Sequence, residues 1–361
     1  MQRRHFLAAA ALPAASAVMP GAFAQGKALT PLKFTLDFRV TSQTAPFFVA
    51  LQKGYYRDEG LDVSIDVGSG SVASITRVAS GAYQLGLGDI SSLIEFQAQN
   101  AGAARVQAVY QYYNRAPFAI IGRKDRGITG EFASLKGKKV AAAAVESTRR
   151  VWPLVAQRQN LPADLFAWTT TEFSARDNVV VRGDVDAATY FHDSAVSLFA
   201  RIRPEELSVL RYTDAGVQLY GNAILASSAL VAEQPGVVAG FLRASNRALI
   251  ECLAQPALAV AAVRQREPIL DEKLELARWA ITSQYLAAPD TQRHGLGDID
   301  PQLLARQAEQ VSQAFALKAP VSADALFGVV SENGKNRTLS VRCCRAPAVQ
   351  RRRRTRHRPP S

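Results

Sequence analysis

Cysteine and histidine are scarce in this chain, and what is missing narrows the field first. Three cysteines and four histidines stand among 361 residues. Cys343 and Cys344 are neighbours near the C-terminal end, and Cys252 lies alone in an apolar helical stretch. A lone cysteine has no bridging partner within the body of the chain and reads as a small packed hydrophobe. His5, His192, His294 and His357 are scattered, so no zinc-type ligand spacing exists. The pair His192–Asp193 reads as structural. No Gly-x-Ser-x-Gly elbow, Gly-Lys-Ser/Thr phosphate loop or short tandem repeat is present. After residue 25 no run approaches the ~18 uncharged apolar residues of a membrane-spanning helix.

Charge is also sparse where it would matter for nucleic acid. Of the net +12, residues 328–361 carry +9 and the first 25 residues carry +2, which leaves +1 for the body. A near-neutral body offers no basic face, so no nucleic-acid partner is expected.

The first 25 residues read as an export signal. Arg3 and Arg4 precede an apolar run from Phe6 to Val18, and Ala22-Phe23-Ala24 forms a cleavage site before Gln25. The stretch "RRHFL" fits a Sec signal or a twin-arginine signal. No cysteine stands at the cleavage site for a lipid anchor. The mature chain is therefore expected in the periplasm. From Gly328 onward, arginine and proline accumulate without helical or strand periodicity. That tail reads as disordered, either a basic arm or the product of a shifted reading frame.

Between these ends, strands alternate with helices. Residues 32–38, 61–67 and 83–89 read as strands. Residues 46–59 and 71–80 read as helices, the second closed by Gly81. Strands "RVQAVYQYY" and "PFAIIGR" follow, then a second strand–helix set from about 134 to 214, then "NAILASS" and a mostly helical return. Such alternation argues for α/β architecture with mainly parallel sheets and helices on both faces. Apolar crossings near 117–123 and 219–226 divide it into two lobes. Lobe one is 26–124 plus 216–327, lobe two is 125–215, and the two crossing strands make a hinge.

In such sheets, ligands gather where strands end and helices begin. Asp37 and Phe38 end the first strand. Asp37 can accept from an amine or amidine and Phe38 can stack on a flat ligand, or the pair can be a cap and a core ring. Gly68-Ser69-Gly70-Ser71 opens a helix and suits an anion, or is a plain Ser/Gly cap. Asp89 is a candidate ligand contact and a good N-cap for its own helix. Ser147 and Thr148 open a helix in lobe two, with Arg149 and Arg150 as anion clamps or surface charges. Tyr190 and Asp193 end another strand and can close over a ligand. Tyr110, Tyr112, Tyr113 and Asn114 lead into the first crossing, where an aromatic ring can line the cleft wall.

The blocks "APFFVALQKGYYRDEGLDVSID", "ITRVASGAYQLGLGD" and "SLKGKKVAAAAVEST" resemble the substrate-binding proteins of ABC importers for sulfonates, nitrate and thiamine-pyrimidine precursors. The likeness runs over about 34–320. It implies a two-lobed type II periplasmic-binding fold, a small-molecule ligand, a membrane permease as partner, a monomer and no cofactor. One branch of that family is enzymatic and makes thiamine pyrimidine from its own histidine and pyridoxal phosphate. Where that branch carries the histidine this chain has Thr44, Phe38 stands in place of a tryptophan, and the Cys-rich iron motif is absent. The resemblance therefore implies binding rather than catalysis. It places Asp37, Phe38, Thr44, Gly70, Ser71, Asp89, Ser147, Thr148 and Tyr190 around the cleft.

Overall fold

The computed structural model describes residues 28–100, 105–289, 291–319, 321–328 and 330. The export-signal reading and nearly all of the basic tail lie outside the described residues. Two five-stranded sheets organise the rest. The first draws on β1 (Thr30–Thr35), β2 (Leu61–Asp66), β3 (Leu85–Asp89) and β4 (Val106–Gln111). The second is built from β5 (Phe118–Arg123), β6 (Lys139–Ala142), β7 (Ala167–Thr170), β8 (Ala187–Phe191) and β9 (Leu207–Arg211). The chain then returns to the first sheet as β10 (Asn222–Ser227). The orders are β2-β1-β3-β10-β4 and β7-β6-β8-β5-β9.

The sheets are mixed rather than simply parallel. β1 pairs parallel with β2 and β3, while β10 runs antiparallel to β3 and β4. In the second sheet β5 runs against β8 and β9, while β6 pairs parallel with β7 and β8. In each sheet the reversed strand is the one that follows a crossing between lobes. The two crossings bond to each other: Tyr113 N–H donates to Asn222 O at 2.7 Å, Gly221 N–H to Tyr113 O at 3.0 Å, and Ala116 N–H to Leu219 O at 2.8 Å. Pairing keeps the backbone amides of both crossings satisfied where the chain passes between the sheets.

Apolar alternation decides which faces the helices cover. Leu32 and Phe34 of β1 point into a core shared with helices Ala45–Gln52 and Pro235–Ala254. There Phe34, Phe47, Tyr56 and Phe241 stack with ring centroids 4.7–5.1 Å apart along the chain of contacts. The opposite face is closed by helices Ser71–Ala79, Ile90–Gln99 and Pro301–Ala314. Two further clusters sandwich the second sheet. Each lobe thus has its own core. Among the described residues no helix is long and apolar enough to cross a membrane.

Several boundaries differ from the sequence reading. The first strand ends at Thr35: Leu36 N–H makes a last bond to Asp66 at the end of β2, and the Asp37 and Phe38 carbonyls then accept from Gly70 and Gly68 of the following loop. The helix expected over 46–59 is two pieces, Ala45–Gln52 and Tyr55–Asp58, separated by a Lys53–Gly54 turn. The helix opening at Ser147 is likewise split, with Pro153 in the first turn of its second piece, Trp152–Arg158. Packing also continues past Phe327. Phe327 bridges to Ala108, Gly328 N–H donates to Ala108 O at 2.8 Å, and Val330 is buried in the first core.

Candidate functional site

A cavity of about 260 Å³ lies between the lobes, at the ends of β1, β6 and β8. Its first wall is built by a loop pressed onto a strand end. Gly68 N–H donates to Phe38 O at 3.0 Å and Gly70 N–H to Asp37 O at 2.6 Å. A Cβ on Gly68 would stand 2.0 Å from Leu36 O, so only glycine allows the loop to sit this close. Gly70, at φ 113°, turns the chain into the helix Ser71–Ala79. Ser71–Ala73 therefore bring the positive end of a helix to the cavity.

Asp37 sits half-buried beside Asn222 of β10, whose Nδ2 donates to Asp37 Oδ2 at 2.6 Å. Burial pushes the Asp37 carboxyl up to about 6, against the pull of the Asn222 bond, and the charges of Asp193 and Asp89 add to the rise. Phe38 meets Phe173 of lobe two edge-on, centroids 5.7 Å apart, so the two rings touch across the cleft. Arg39 stacks over the other ring position of Phe38 at 5.0 Å, and burial lowers its pKa.

Lobe two supplies a charged wall that is already neutralised. Glu146 and Arg176 are both buried and pair at 2.6 Å. Arg176 Nη1 also donates to Thr189 O at 2.7 Å, and Thr189 Oγ1 donates to Glu146 Oε2 at 2.8 Å. The rings of Phe173 and Tyr190 lie 5.0 and 4.7 Å from the Arg176 guanidinium. Ser92 of lobe one and Ser147 of lobe two share a hydrogen bond of 2.8 Å across the cavity.

Two cavity-lining residues carry a buried polar atom with no protein partner: Asn222 Oδ1 and Arg176 Nε. One is an acceptor and the other a donor. Buried polar groups are normally satisfied, so both are exceptions, and each lies beneath the wall surface rather than open to the cavity. Among the described residues no lysine, histidine or cysteine lines the cavity.

The sequence candidates divide by position. Asp37, Phe38, Thr44, Gly70, Ser71 and Ser147 line the cavity. Thr44 is only 4% exposed, and its hydroxyl donates to Thr41 O at 3.0 Å. Asp89, Thr148 and Tyr190 stand behind the wall instead. Asp89 caps the helix Ile90–Gln99, its Oδ1 accepting from Ser91 and Ser92 N–H at 2.9 and 3.2 Å. Thr148 is fully buried and its carbonyl accepts from Tyr212 OH at 2.8 Å. Tyr190 OH donates to Asp177 Oδ1 at 2.9 Å. Arg149 faces away, stacked on Trp168 and bonded to Thr170. Sequence reasoning missed Asn222, Glu146, Phe173 and Arg176. Glu146 was legible as the residue preceding a helix, but the other three are brought in by tertiary pairing alone.

Burial raises Asp89 to about 6 from an ordinary 3.8. Its folded form therefore favours the protonated state. The stability it contributes is highest below about pH 3.8 and is lost as pH rises towards 6. Asp89→Asn keeps the cap and removes the buried charge. It is expected to raise stability by about 1–3 kcal/mol at pH 8 and to change it little at pH 4. Urea unfolding at the two pH values checks this, and equal effects at both would exclude the charge as the cause.

Comparison with known proteins places this geometry in a family. The NMT1/THI5 like family model matches residues 41–259. The riboflavin-binding protein RibY of Chloroflexus aurantiacus is 26% identical over 318 residues, covering 83% of this chain and 85% of its own. The 4-amino-5-hydroxymethyl-2-methylpyrimidine phosphate synthase of Aspergillus parasiticus is 25% identical over 251 residues, 66% of this chain and 71% of its own. Among solved structures, the alkanesulfonate-binding protein SsuA from Xanthomonas axonopodis pv. citri bound to MOPS superposes with a TM-score of 0.66 at 15% identity. That match covers 83% of this chain and 99% of that one, so the two share the periplasmic binding-protein fold. With its family match spanning more than half of the sequence, from the strand-end loop through both lobes, the chain belongs to the NMT1/THI5-like family.

Proposed function

We propose that this protein is the exported solute-binding component of an ABC-type importer, closing over a flat heterocycle with N–H donors on one edge and handing it to a permease. The observation that carries this reading is the Asp37 carboxylate, held by Asn222 at 2.6 Å, set in the cavity wall beside the edge-on rings of Phe38 and Phe173. An amino-substituted pyrimidine suits this wall, with its ring packed against the phenylalanine pair and its donor edge on the Asp37 carboxylate. The helix end at Ser71–Ala73 and the nearby Arg39 tolerate an acidic substituent. A small inorganic or sulfonate anion suits the cavity less well, because Arg176 is neutralised by Glu146 and a carboxylate occupies the floor. RibY, named for riboflavin, supports a heterocycle-binding role.

The synthase reading draws on the name of the Aspergillus relative. Pyridoxal phosphate in such a site needs a lysine amine to carry it, and the synthase branch also needs its donor histidine. Among the described residues the cavity wall has neither, so the cofactor does not fit this wall.

Thermal unfolding against a ligand panel tests the proposal. The panel holds 4-amino-5-hydroxymethyl-2-methylpyrimidine, riboflavin, taurine and nitrate. At 100 times its dissociation constant a true ligand adds about 2.7 kcal/mol, several degrees for a chain of this size. Shifts with the heterocycles alone are expected. A shift with taurine or nitrate alone, or conversion of a bound heterocycle, would overturn it.

A further inference from the structure

Asp193 is completely buried, yet it belongs to neither lobe's core. It stands in the turn His192–Ala195 that follows β8, so it moves with lobe two. Its hydrogen-bond partners come from elsewhere. Gln43 Nε2 donates to its Oδ1 at 2.5 Å. Tyr113 OH and Thr282 Oγ1 donate to its Oδ2 at 2.5 and 2.9 Å. Arg278 Nη1 donates to its carbonyl at 2.8 Å. Gln43 precedes the helix Ala45–Gln52 of lobe one, Tyr113 lies in the first crossing, and Arg278 and Thr282 sit on the helix Glu272–Leu286 of the return segment.

The donor side is fixed in advance. Gln43 O accepts from Tyr112 OH at 2.7 Å, and its Oε1 accepts from Thr41 Oγ1 at 3.0 Å. Arg278 is held by Glu275 at 3.2 Å, and Glu275 in turn accepts from Ser42 N–H at 2.7 Å. Four donors from lobe one and the crossing, two of them held in place by other partners, thus surround the one residue of lobe two that they share. A carboxylate removed from water needs such donors, and donors left without it would themselves be unsatisfied. Gln43 and Tyr113 are also cavity-wall residues. The contact that joins the lobes and the surface that meets the ligand share two side chains.

We infer that Asp193 is a positioning residue for the ligand site: by engaging Gln43 and Tyr113 it seats lobe two against lobe one and sets the closed geometry of the cavity. This rests on the binding reading above for its ligand, but not for its conformational half. Another interlobe contact, the Glu95–Arg150 ion pair, involves no cavity-wall residue, which makes it the natural comparison.

Small-angle scattering of the full, ligand-free chain tests the conformational half. Asp193→Asn is expected to enlarge the radius of gyration with an unchanged far-ultraviolet dichroism spectrum. Gln43→Leu, which introduces no buried charge, gives the same sign with a smaller amplitude and serves if Asp193→Asn fails to fold. Calorimetry with 4-amino-5-hydroxymethyl-2-methylpyrimidine then reads the binding half. If closed molecules fall to about a tenth of the population, affinity falls about tenfold. An unchanged radius in both variants overturns the inference, as does an equal expansion in Glu95→Gln. Lack of binding by the wild-type protein would overturn the ligand reading alone, since the scattering result needs no ligand.

Discussion

Arg176→Met is expected to destabilise the protein by about 3–5 kcal/mol, the cost of leaving a buried carboxylate without its partner. Glu146 and Arg176 have side chains only 4% and 5% exposed, so neither is rescued by solvent when the other is lost. Met replaces the stem but not the guanidinium, so Thr189 O also loses its 2.7 Å donor and the rings of Phe173 and Tyr190 lose the cation between them. Glu146 keeps the Thr189 hydroxyl and the Ala143 N–H at 3.2 Å, which is too little for a full charge. The double variant Arg176→Met/Glu146→Gln removes that charge and should recover most of the loss, because the penalty belongs to the uncompensated carboxylate. Urea unfolding of wild type, both single variants and the double variant gives the coupling directly. A single-variant cost under about 1 kcal/mol would show that water reaches Glu146 and that the wall is not dry.

The fold was legible because its signals are local and repeated. Alternating apolar residues in "LDVSID" and a short continuous apolar run in "FAIIGR" announce strands, and Gly81 closes a helix, without help from the rest of the chain. Strand direction was not legible in the same way. β10 and β5 look like any apolar strand, and only the double crossing turns each one against its neighbours. The site shows the same division. Asp37, Phe38, Gly70 and Ser71 are found by their place at a strand end and a helix start. Asn222 enters the wall only because β10 inserts between β3 and β4, some 130 residues after β3 in the chain. Tyr190 and Thr148 were drawn towards the cleft by their position at strand and helix ends, but their neighbours claim them: Asp177 takes the phenol, and Tyr212 takes the Thr148 carbonyl. Chain position places a residue near a site. Which way its side chain turns is decided by partners that a linear reading does not see.

Asp37→Asn is the change expected to cost most in binding. A hydrogen bond to a charged group contributes about 1.5–3 kcal/mol, so losing it should weaken a heterocycle with an N–H edge by roughly tenfold to a hundredfold. The fold should tolerate the change, since Asn222 can turn its amide to pair with the new one and no buried charge is created. The wild-type carboxyl adds a pH signature that the variant lacks. In the free protein burial holds Asp37 at about 6. A ligand that donates to the ionised form pulls that value down on binding. Affinity should therefore rise with pH until about 6 and level off above it, and fall by up to tenfold for each unit below 6. In Asp37→Asn the same titration should be flat over this range for a ligand that does not itself ionise there, such as riboflavin. Isothermal calorimetry between pH 5 and 8 separates the possibilities. A flat profile in the wild-type protein with an equally flat, equally tight profile in the variant would remove Asp37 from the ligand's donor edge.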